Sequence, residues 1–554
     1  MADPSVDRRQ QMFPRLTPAQ MARIGNIGQL REVTRGEVLF EVGQQNTKFF
    51  VVVEGGIEVV RPVADREEPV VVHGPSEFTG EINMLSSRRS LVRGRALSDG
   101  SVIAVDRERL RALVQRDSEL SELLMRAFIL RRVGLLSQLD NDLVLLGSRH
   151  SGATLRLKEF LTRNAQPFTY EEVETDPGVQ VLLDRFQVGV NDIPVVICQS
   201  GGVLRNPSIE RLASELGLSV ELDAEAIRDV IVVGAGPAGL AAAVYAASEG
   251  LDVLVLEATA PGGQAGTSSR IENYLGFPTG ISGEALAARA FTQAEKFGAE
   301  MAIAQRVARL HCDAKQQYKV ELANGDVVRG KTIVIATGAQ YRKPELPELS
   351  RYEGAGVYYS ATHMEAQICK GEDIAIVGGG NSAGQAAVYL SQNAASVQVL
   401  IRGPGLADSM SRYLIQRIED CPNVTLRPHT VVEALEGENW LEKIRWRQVQ
   451  SGDAETRPIR HVFLMTGALP NTDWVKGCVQ LDEKGFIKAG ADLSREELAD
   501  AGWPLTRQPY LGETSLPGVF VVGDARSGSV KRVASAVGEG SVCVQLIHRL
   551  LHEL

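Results

Sequence analysis

Two stretches of the chain show the same order of apolar and glycine-rich positions. In the first, apolar runs at 230–233 and 253–256 enclose an alanine-rich segment. In the second, apolar runs at 374–377 and 397–401 enclose a segment that contains residues 385–390. A short uninterrupted apolar run is typical of a strand that is buried on both faces of a parallel sheet. The pattern therefore predicts two strand–helix–strand units.

The first 135 residues alternate between apolar and polar positions instead. Strands are expected at 36–40, 48–53 and 56–60, and a Gly55-Gly56 turn is expected to join the last two as a hairpin. A helical run follows at 107–135. This segment, residues 1–138, is predicted to be a β-barrel unit with helical ends.

Residues 139–225 form a third pattern, which reads strand, helix, strand, helix, strand, helix. Strands are expected at 143–146 and 168–173, and the segment 191–197 is expected to be a strand initiated by Pro194. The order predicts a small α/β domain.

Composition narrows the possible functions. The chain has 554 residues, enough for about three or four domains. A net charge of −10 argues against nucleic acid as the main partner. We predict no secretory signal and no membrane span, because the start is polar and the apolar runs are interrupted by glycine. Six scattered cysteines without a CxxC pair predict a cytoplasmic protein with mostly inert thiols, and no metal site is expected.

The first strand–helix–strand unit carries a dinucleotide-binding signature. Gly234 suits a tight turn, Gly236 lets a pyrophosphate approach the backbone, and Gly239 lets the helix pack closely on the strand. The N–H groups at the start of the helix can hold phosphates. Glu257, which ends the second strand, stands where a carboxylate accepts hydrogen bonds from a ribose.

The second unit predicts a second dinucleotide site. Its turn contains Gly378 and Gly380, and is followed by three small or polar residues: Asn381, Ser382 and Ala383. The strand after the helix ends at Arg402 rather than at an acid. A cation there suits a 2′-phosphate and favours NADPH, with NADH possible. Arg412 can supply a second charge, and the alternative is that Arg402 only caps the strand.

Several further motifs occur in a fixed order. They are Pro-Gly-Gly-Gln-Ala at 261–265, Ile-Glu-Asn-Tyr-Leu-Gly-Phe-Pro at 271–278, Ala-Thr-Gly at 336–338, Thr-Gly-Ala-Leu-Pro-Asn-Thr at 466–472 and Gly-Val-Phe-Val-Val-Gly-Asp at 518–524. Together with the two turns, they resemble the low-molecular-weight thioredoxin reductase family from about residue 226 to the end.

The resemblance implies two Rossmann-like domains and a homodimer. The FAD domain would be split into 226–350 and 464–554, and the NAD(P)H domain at 351–463 would be inserted between the halves. The residues implied to line FAD, besides those of the first turn, are Gly263, Gln264, Asn273, Thr337, Gly338, Gly523, Asp524, Arg532, Val533 and Ala534.

One family motif is missing. Thioredoxin reductases carry a Cys-x-x-Cys pair at the start of the NADPH domain, and the matching stretch here is Tyr359-Ser360-Ala361-Thr362-His363. Disulfide exchange needs two sulfurs, so this route is closed. His363 is a candidate proton donor, and the alternative is that it only fills the vacated volume.

The N-terminal segment resembles a cyclic-nucleotide-binding domain. The resemblance rests on Gly80-Glu81 and the arginines that follow. It implies that Glu81 binds the ribose, that Arg89 or Arg88 pairs with the cyclic phosphate, and that Gly80 and Ser90 belong to the same site. The alternative is a docking or dimerisation module whose arginines are solvated.

Residues 139–225 resemble a thioredoxin or glutaredoxin fold, in which a proline, usually cis, opens the third strand. Ser148 and Ser151 stand where a redox pair would be, so the domain is predicted to be a docking or spacer module without redox activity. Cys198 is expected to be a buried core thiol.

The leading hypothesis is an FAD-dependent NAD(P)H oxidoreductase. Its acceptor is unknown, with a ferredoxin-like protein, a quinone and oxygen as candidates, and a cyclic nucleotide is expected to regulate it. Glycine-bearing segments at 353–356 and 466–467 are predicted hinges between the two dinucleotide domains. The alternatives are a sensor or scaffold without turnover and, less favoured, a thioredoxin-disulfide reductase with a non-standard thiol.

Overall fold

The computed structural model describes most of the chain. The described residues are 9–44, 47–63, 66–80, 82–85, 90, 92–138, 143–148, 151–173, 192–198, 202–220, 222–312, 317–438 and 440–553. All structural statements below concern these residues.

The N-terminal domain contains two antiparallel sheets. The helix α1 (Pro18–Gly25) is followed by strands β1 (Gln29–Val33), β2 (Val38–Phe40), β3 (Phe49–Glu54), β4 (Ile57–Val63), β5 (Arg66–His73), β6 (Arg93–Ala96) and β7 (Gly100–Val105). The sheet orders are β1-β7-β3 and β2-β6-β4-β5.

The predicted hairpin at Gly55-Gly56 is wrong. Strand β3 pairs with β7, whereas β4 pairs with β5 and β6 of the other sheet. Gly55 has φ 83°, a conformation that glycine adopts without strain. It turns the chain from one sheet into the other.

The predicted helical run at 107–135 is divided in two. The helices are α2 (Arg107–Arg116) and α3 (Ser118–Gln138). Asp117, between them, has an extended backbone with φ −109° and ψ 102°.

The middle domain, residues 143–220, has a four-stranded sheet. Its elements are β8 (Leu143–Gly147), α4 (Gly152–Arg163), β9 (Thr169–Glu172), β10 (Val195–Cys198), β11 (Val203–Arg205) and α5 (Ile209–Glu215). The order is β11-β10-β8-β9, with β9 parallel to β8 and the other pairs antiparallel. The Ile193–Pro194 peptide bond is cis, while the helix expected between β9 and β10 lies outside the described residues.

The seven-stranded domain contains the first glycine turn. Its first part comprises β12 (Ile227–Val233), α6 (Pro237–Ser248), β13 (Val253–Glu257), α7 (Gly263–Gly266), α8 (Gly283–Phe297), β14 (Glu300–Ile303), β15 (Val307–His311), β16 (Tyr318–Leu322) and β17 (Val327–Ile335). The strand order is β14-β13-β12-β17-β16-β15, and a strand from the end of the chain pairs in parallel with β17.

The five-stranded domain contains the second glycine turn. Strand β18 (Ala339–Tyr341) leads into α9 (Leu349–Tyr352), β19 (Val357–Tyr358), α10 (His363–Ile368), β20 (Asp373–Val377), α11 (Asn381–Leu390), β21 (Ser396–Leu400), α12 (Arg412–Glu419), β22 (Val424–Arg427), β23 (Thr430–Glu436), β24 (Lys443–Gln448), β25 (Ala454–Arg457) and β26 (His461–Leu464). The parallel order is β19-β26-β20-β21-β22, and β23, β24 and β25 form a separate antiparallel sheet.

The chain then returns to the seven-stranded domain. The remaining elements are β27 (Ala468–Pro470), α13 (Arg495–Asp500), β28 (Val519–Val521) and α14 (Val533–Glu553). Strands β18 and β27 pair with each other, so the two crossings between the domains lie side by side. Gly540 lets α14 lie against α6, since a Cβ there would be 2.3 Å from the Ala238 carbonyl oxygen.

The middle domain and the seven-stranded domain share one hydrophobic core. A single cluster of buried side chains includes Leu157 and Phe160 of α4, and Val230 and Val255 of the parallel sheet. A shared apolar interface of this kind holds two domains in a fixed relation. Within the described part of the chain, no helix is both long and apolar enough to cross a membrane.

Two of the six cysteines differ from the predicted inert thiols. Cys312 and Cys478 form a disulfide, with their Cα atoms 5.6 Å apart and a separation of 166 positions in the sequence. Scattered spacing gave no sign of this pair, because only the packing of Cys478 beside the end of β15 brings the two together. Cys198, Cys369, Cys421 and Cys543 are free, and burial raises the pKa of Cys198 to about 11, as expected for a core thiol.

Candidate functional site

A cleft of about 1920 Å³ joins the seven-stranded, five-stranded and middle domains. Most of the residues predicted from the sequence line it: Gly234, Gly236, Glu257, Gly263, Gln264, Asn273, Thr337, Gly338, Gly378, Gly380, Asn381, Ser382, Arg402, Gly523, Asp524, Arg532 and Val533. Gly239, Ala383 and Ala534 are not among the lining residues. Both glycine turns therefore open on one space.

The first turn has the geometry that a dinucleotide needs. Gly234 has φ 103°, and a Cβ there would lie 2.4 Å from the Ala336 carbonyl oxygen. A Cβ on Gly239 would lie 1.9 Å from the Gly234 carbonyl oxygen, so this glycine permits the helix to pack on the turn. By contrast, the nearest atom to a Cβ on Gly236 would be 3.9 Å away, which leaves the backbone accessible from the cleft.

Glu257 is buried at the end of β13. Its carboxylate accepts hydrogen bonds from the backbone N–H groups of Ala235 and Thr259, at 2.8 and 2.9 Å. These bonds tie the glycine turn to the loop at 258–263, which follows the strand. Binding of a ribose by Glu257 stays a prediction.

The second turn is held by the loop that follows β21. The Ser409 hydroxyl donates to the Gly379 carbonyl oxygen at 2.8 Å, and the Ser411 N–H donates to Asn381 Oδ1 at 2.7 Å. Arg402 is exposed at the cleft and, among the described residues, makes no ion pair. Its guanidinium is therefore available to an anionic group.

Asp524 lies in the cleft at the 3₁₀ turn Gly523–Ala525. Burial raises its pKa, and the neighbouring Glu539 acts in the same direction, while Lys531 opposes both. Glu539 itself accepts from the Gly523 N–H at 2.7 Å. A polar ligand at Asp524 thus meets a carboxyl group that is partly removed from water.

Strand β18, which pairs with β27, lies against Gln264 of α7 and close to the second turn. Gln264 Nε2 donates to the Ala339 carbonyl oxygen at 2.5 Å. Tyr341, on the same strand, lies close to Ser382 of the second turn, and burial raises the pKa of this tyrosine. Of the predicted hinges, Gly467 lies at this crossing, where its carbonyl accepts from the Arg342 N–H at 2.9 Å. Gly354 lies elsewhere, against Gly152 of α4.

The segment without cysteines forms a hydrogen-bonded cluster around Glu365. The Thr362 N–H donates to Glu365 Oε2 at 2.7 Å, and the Ser360 hydroxyl donates to Oε1 at 3.4 Å. Glu365 lines the cleft, and burial raises its pKa, with a smaller contribution from Glu159 of α4. His363 is the first residue of α10, and its side chain lies outside the described part of the structure.

The predicted cyclic-nucleotide site is described only in part. Glu81, Arg88 and Arg89 lie outside the described residues. Gly80 has φ 109°, and its carbonyl accepts from the buried Arg131 of α3 at 2.9 Å. The Ser90 hydroxyl donates to the Val92 carbonyl oxygen at 2.8 Å.

The nearby arginines of β6 are already paired. Arg93 forms ion pairs with Glu41 and Glu67, and Arg95 forms ion pairs with Glu58 and Glu67. These two belong to the outer face of the sheet.

In the middle domain, Ser151 is a helix cap. Its side chain accepts from the Thr154 N–H at 3.3 Å at the start of α4. Ser148 ends the preceding loop, before residues that lie outside the described part.

Sequence reasoning missed the residues that one domain contributes to another. Arg163 and Arg156 of the middle domain, and Glu365 and Tyr341 between the two turns, all line the cleft. No local motif marks them, because they reach the site only through domain packing. The one available signal was Glu365, a charged residue two positions after the altered cysteine motif.

Two glycine turns that follow parallel strands and open on one cleft are typical of a protein that binds two dinucleotides. The comparisons agree with this class. Residues 228–540 match the family model described as pyridine nucleotide-disulphide oxidoreductase, and residues 30–117 match the cyclic nucleotide-binding domain. The chain belongs to the pyridine nucleotide-disulphide oxidoreductase family, which uses FAD and NAD(P)H, and carries a cyclic nucleotide-binding domain at its N-terminal side.

Three relatives show how far the likeness extends. Thioredoxin reductase of Streptomyces coelicolor is 33% identical over 57% of this chain and 91% of its own length. NADH dehydrogenase of Bacillus subtilis is 29% identical over 60% of this chain and 61% of its own length. The crystal structure of Lactococcus lactis thioredoxin reductase in the FR conformation has a TM-score of 0.53 and 28% identity, covering 59% of this chain and all of that one.

Proposed function

We propose that the protein is an NADPH-dependent flavoenzyme that delivers electrons to an acceptor other than a protein disulfide. The observation that carries the proposal is the single cleft on which both glycine turns open. FAD, when bound, accepts a hydride from the nicotinamide and passes the electrons on. The chain binds the two dinucleotides, orients them towards each other and limits the access of water.

The choice of acceptor rests on the cysteines. No cysteine is among the described residues that line the cleft. Cys369 is fully buried in the five-stranded domain, and burial raises its pKa to about 11, which disfavours the thiolate that exchange requires. The Cys312–Cys478 pair lies beside β15, away from the cleft lining. A quinone, oxygen or a ferredoxin-like protein fits better than a thioredoxin.

The residues of the cleft would have separate roles in binding the two dinucleotides. Arg402 would pair with the 2′-phosphate of NADPH, and Asp524 would hydrogen-bond the ribityl–pyrophosphate region of FAD. Tyr341 lines the cleft beside Ser382 of the second turn. Proton delivery by His363 remains part of the proposal.

Anaerobic reduction tests the proposal. Purified protein loaded with FAD should lose its flavin absorbance with excess NADPH, faster than with NADH, and should regain it with a quinone, oxygen or ferredoxin. No absorbance band from a thiolate next to reduced flavin should appear. A protein that is reduced by NADPH but reoxidised only by thioredoxin would contradict the proposed acceptor.

The same experiment distinguishes an enzyme from the alternative, a sensor or scaffold without turnover. A sensor or scaffold would bind FAD and NADPH without turnover, so its flavin would stay oxidised. Open access of both turns to one cleft favours the enzyme, because a sensor has no need to bring the two together.

We also propose that the middle domain has a thioredoxin-type fold without redox activity. Its strand order β11-β10-β8-β9, the parallel β8–β9 pair and the cis Pro194 before β10 support the fold. The serine at the start of α4, used as a helix cap, supports the loss of redox chemistry. A homodimer, as the family resemblance implies, is part of the same proposal.

Regulation by a cyclic nucleotide is the second proposal, and one contact favours it. The 3₁₀ turn Ile82–Leu85 directly follows the predicted ribose-binding Glu81. Arg111 of α2 donates through Nε to the Leu85 carbonyl oxygen at 2.7 Å. The same side chain lines a cavity of about 190 Å³ with Glu295 and Glu300 of the seven-stranded domain.

Arg111 therefore connects the nucleotide loop with the redox half of the chain. Burial lowers its pKa to about 10, with Arg107 acting in the same direction, while Glu295 and Glu300 oppose the shift. A second contact, from Gln115 Nε2 to the Phe297 carbonyl oxygen at 3.1 Å, joins α2 to the end of α8. A ligand that moves the turn can alter this interface, provided that it binds the two arrangements unequally.

Calorimetric titration with cyclic AMP, cyclic GMP and cyclic dinucleotides, together with turnover assays, tests the regulation. Arg89→Ala should remove binding. Arg111→Gln should keep binding but reduce the effect of the ligand on turnover, and the exposed Arg116→Gln serves as its control. Binding that leaves turnover unchanged in the wild type would make the N-terminal domain a docking module.

A further inference from the structure

We propose that the middle domain is part of the FAD-binding site. Its helix α4 forms one wall of the cleft, and Arg163, at the end of this helix, is a positioning residue for the loop at 258–263. The family model begins at residue 228, so this contribution lies outside the part of the chain that the family shares. It also gives a function to a domain that lacks a redox pair.

The first evidence is a set of contacts between α4 and the loop. Arg163 Nη2 donates to the carbonyl oxygens of Gly263 and Ala260, at 3.0 and 3.4 Å. The next residue, Asn164, is 4% exposed and donates through Nδ2 to the Thr259 carbonyl oxygen at 3.1 Å. Three carbonyl groups of one short loop are thus bound by two neighbouring side chains.

The loop lies beside the first glycine turn. It begins directly after Glu257, the predicted ribose-binding carboxylate, and ends at Gly263 and Gln264, both predicted to contact FAD. The Cα of Gly263 lies 3.9 Å from the position of a Cβ on Gly236, so the loop faces the pyrophosphate turn. The backbone N–H groups of Thr259 and Ala260 are bound by the Glu257 carboxylate, and that of Gly262 donates to the Ala235 carbonyl oxygen. The contacts from α4 to the loop carbonyls therefore complete the set of bonds that fixes the loop against the pyrophosphate turn.

The position of α4 supports more than an incidental contact. Gly152, Leu155, Arg156, Glu159 and Arg163 of this helix all line the cleft. The helix is held there by the core that the middle domain shares with the seven-stranded domain. Since that interface is apolar and continuous, the wall is a fixed part of the cleft rather than a mobile cover.

The charges on this wall suit a diphosphate. The Arg163 side chain is 18% exposed, and Glu159 pairs with it at 3.2 Å. The Nε of Arg163 is buried and has no hydrogen-bond partner among the described residues. Arg156 is exposed in the cleft and, within the same described set, makes no ion pair. Removal of these cations should weaken the binding of an anionic cofactor.

The test measures FAD affinity directly. Apoprotein of the wild type and of Arg163→Gln is titrated with FAD, and binding is followed by quenching of flavin fluorescence. We expect the Kd to rise by about tenfold or more, because a hydrogen bond to a charged group is lost. Arg211→Gln, in α5 of the same domain and 66% exposed at its side chain, is the control and should leave the Kd unchanged.

Thermal unfolding with and without FAD distinguishes a positioning role of Arg163 from a general loss of stability. Thermal unfolding of the apoprotein measures any general loss of stability in Arg163→Gln and in the control. The increase in Tm that FAD produces, taken relative to each apoprotein, should be smaller for Arg163→Gln than for the control. If Arg163→Gln does not fold, Arg163→Lys is used, which keeps the charge but cannot reach both carbonyls. A Kd within threefold of the wild type in the folded variant would overturn the proposal, whether or not the protein turns over NADPH.

Discussion

The disulfide between Cys312 and Cys478 offers the sharpest test of the proposed electron route. The double variant Cys312→Ser/Cys478→Ser removes the only disulfide formed by the described cysteines. Neither residue lines the cleft. If electrons leave from the cleft without passing through sulfur, NADPH-dependent reduction of a quinone should continue at the wild-type rate.

Stability should change while turnover does not. The cross-link closes a loop of 166 residues, and the chain-entropy model gives an upper limit of about 5 kcal/mol for the free energy of unfolding that such a loop contributes. Denaturation in guanidinium chloride measures this loss, with care for separate transitions of the domains. Cys421→Ser, which replaces a free half-buried thiol, is the matched control and should change neither quantity.

The decisive assay is stopped-flow reduction followed by reoxidation. A double variant whose flavin is reduced at the normal rate, but which no longer passes electrons to any acceptor, would refute the reasoning. That result would mean that electrons pass from the flavin to the acceptor through the Cys312–Cys478 disulfide. The protein would then act by disulfide exchange.

Three further predictions concern the cleft. Gly239→Ala should prevent FAD retention, because the new Cβ would lie 1.9 Å from the Gly234 carbonyl oxygen. Gly538→Ala, which meets no atom within 4 Å, is its control, and equal flavin content in both variants would contradict the packing argument. Arg402→Ala should reduce the preference for NADPH over NADH by about tenfold or more, since a charged hydrogen bond is worth about 1.5–3 kcal/mol. Unchanged selectivity in steady-state kinetics would exclude this role, and Arg412→Ala reports on the second charge. Glu365 has a raised pKa in the fold, so its contribution to stability is present below the ordinary glutamate pKa and is lost as pH rises through the folded value. Glu365→Gln should therefore gain in Tm relative to the wild type as the pH rises above the ordinary glutamate pKa, and a difference that is constant with pH would rule out this titration.

Local motifs accounted for much of the cleft. The glycine turns, their flanking strands and Glu257 were predictable because each of them depends on residues close together in the sequence. Apolar runs of four or five residues identify buried strands. Glycines between such runs mark turns, because glycine adopts positive φ without strain. The absence of sulfur from residues 359–363 was likewise visible without a structure.

Pairing and packing over long distances were decided only by the tertiary structure. The Gly55-Gly56 turn has the composition of a hairpin, yet β3 and β4 enter different sheets because each finds its partners far along the chain. The bond between Cys312 and Cys478 spans 166 residues, and no spacing rule predicts it. The approach of Arg163 to the loop after Glu257 depends on a core shared by two domains. Such contacts follow from the complementarity of whole surfaces, which a linear pattern of apolar and polar residues does not encode.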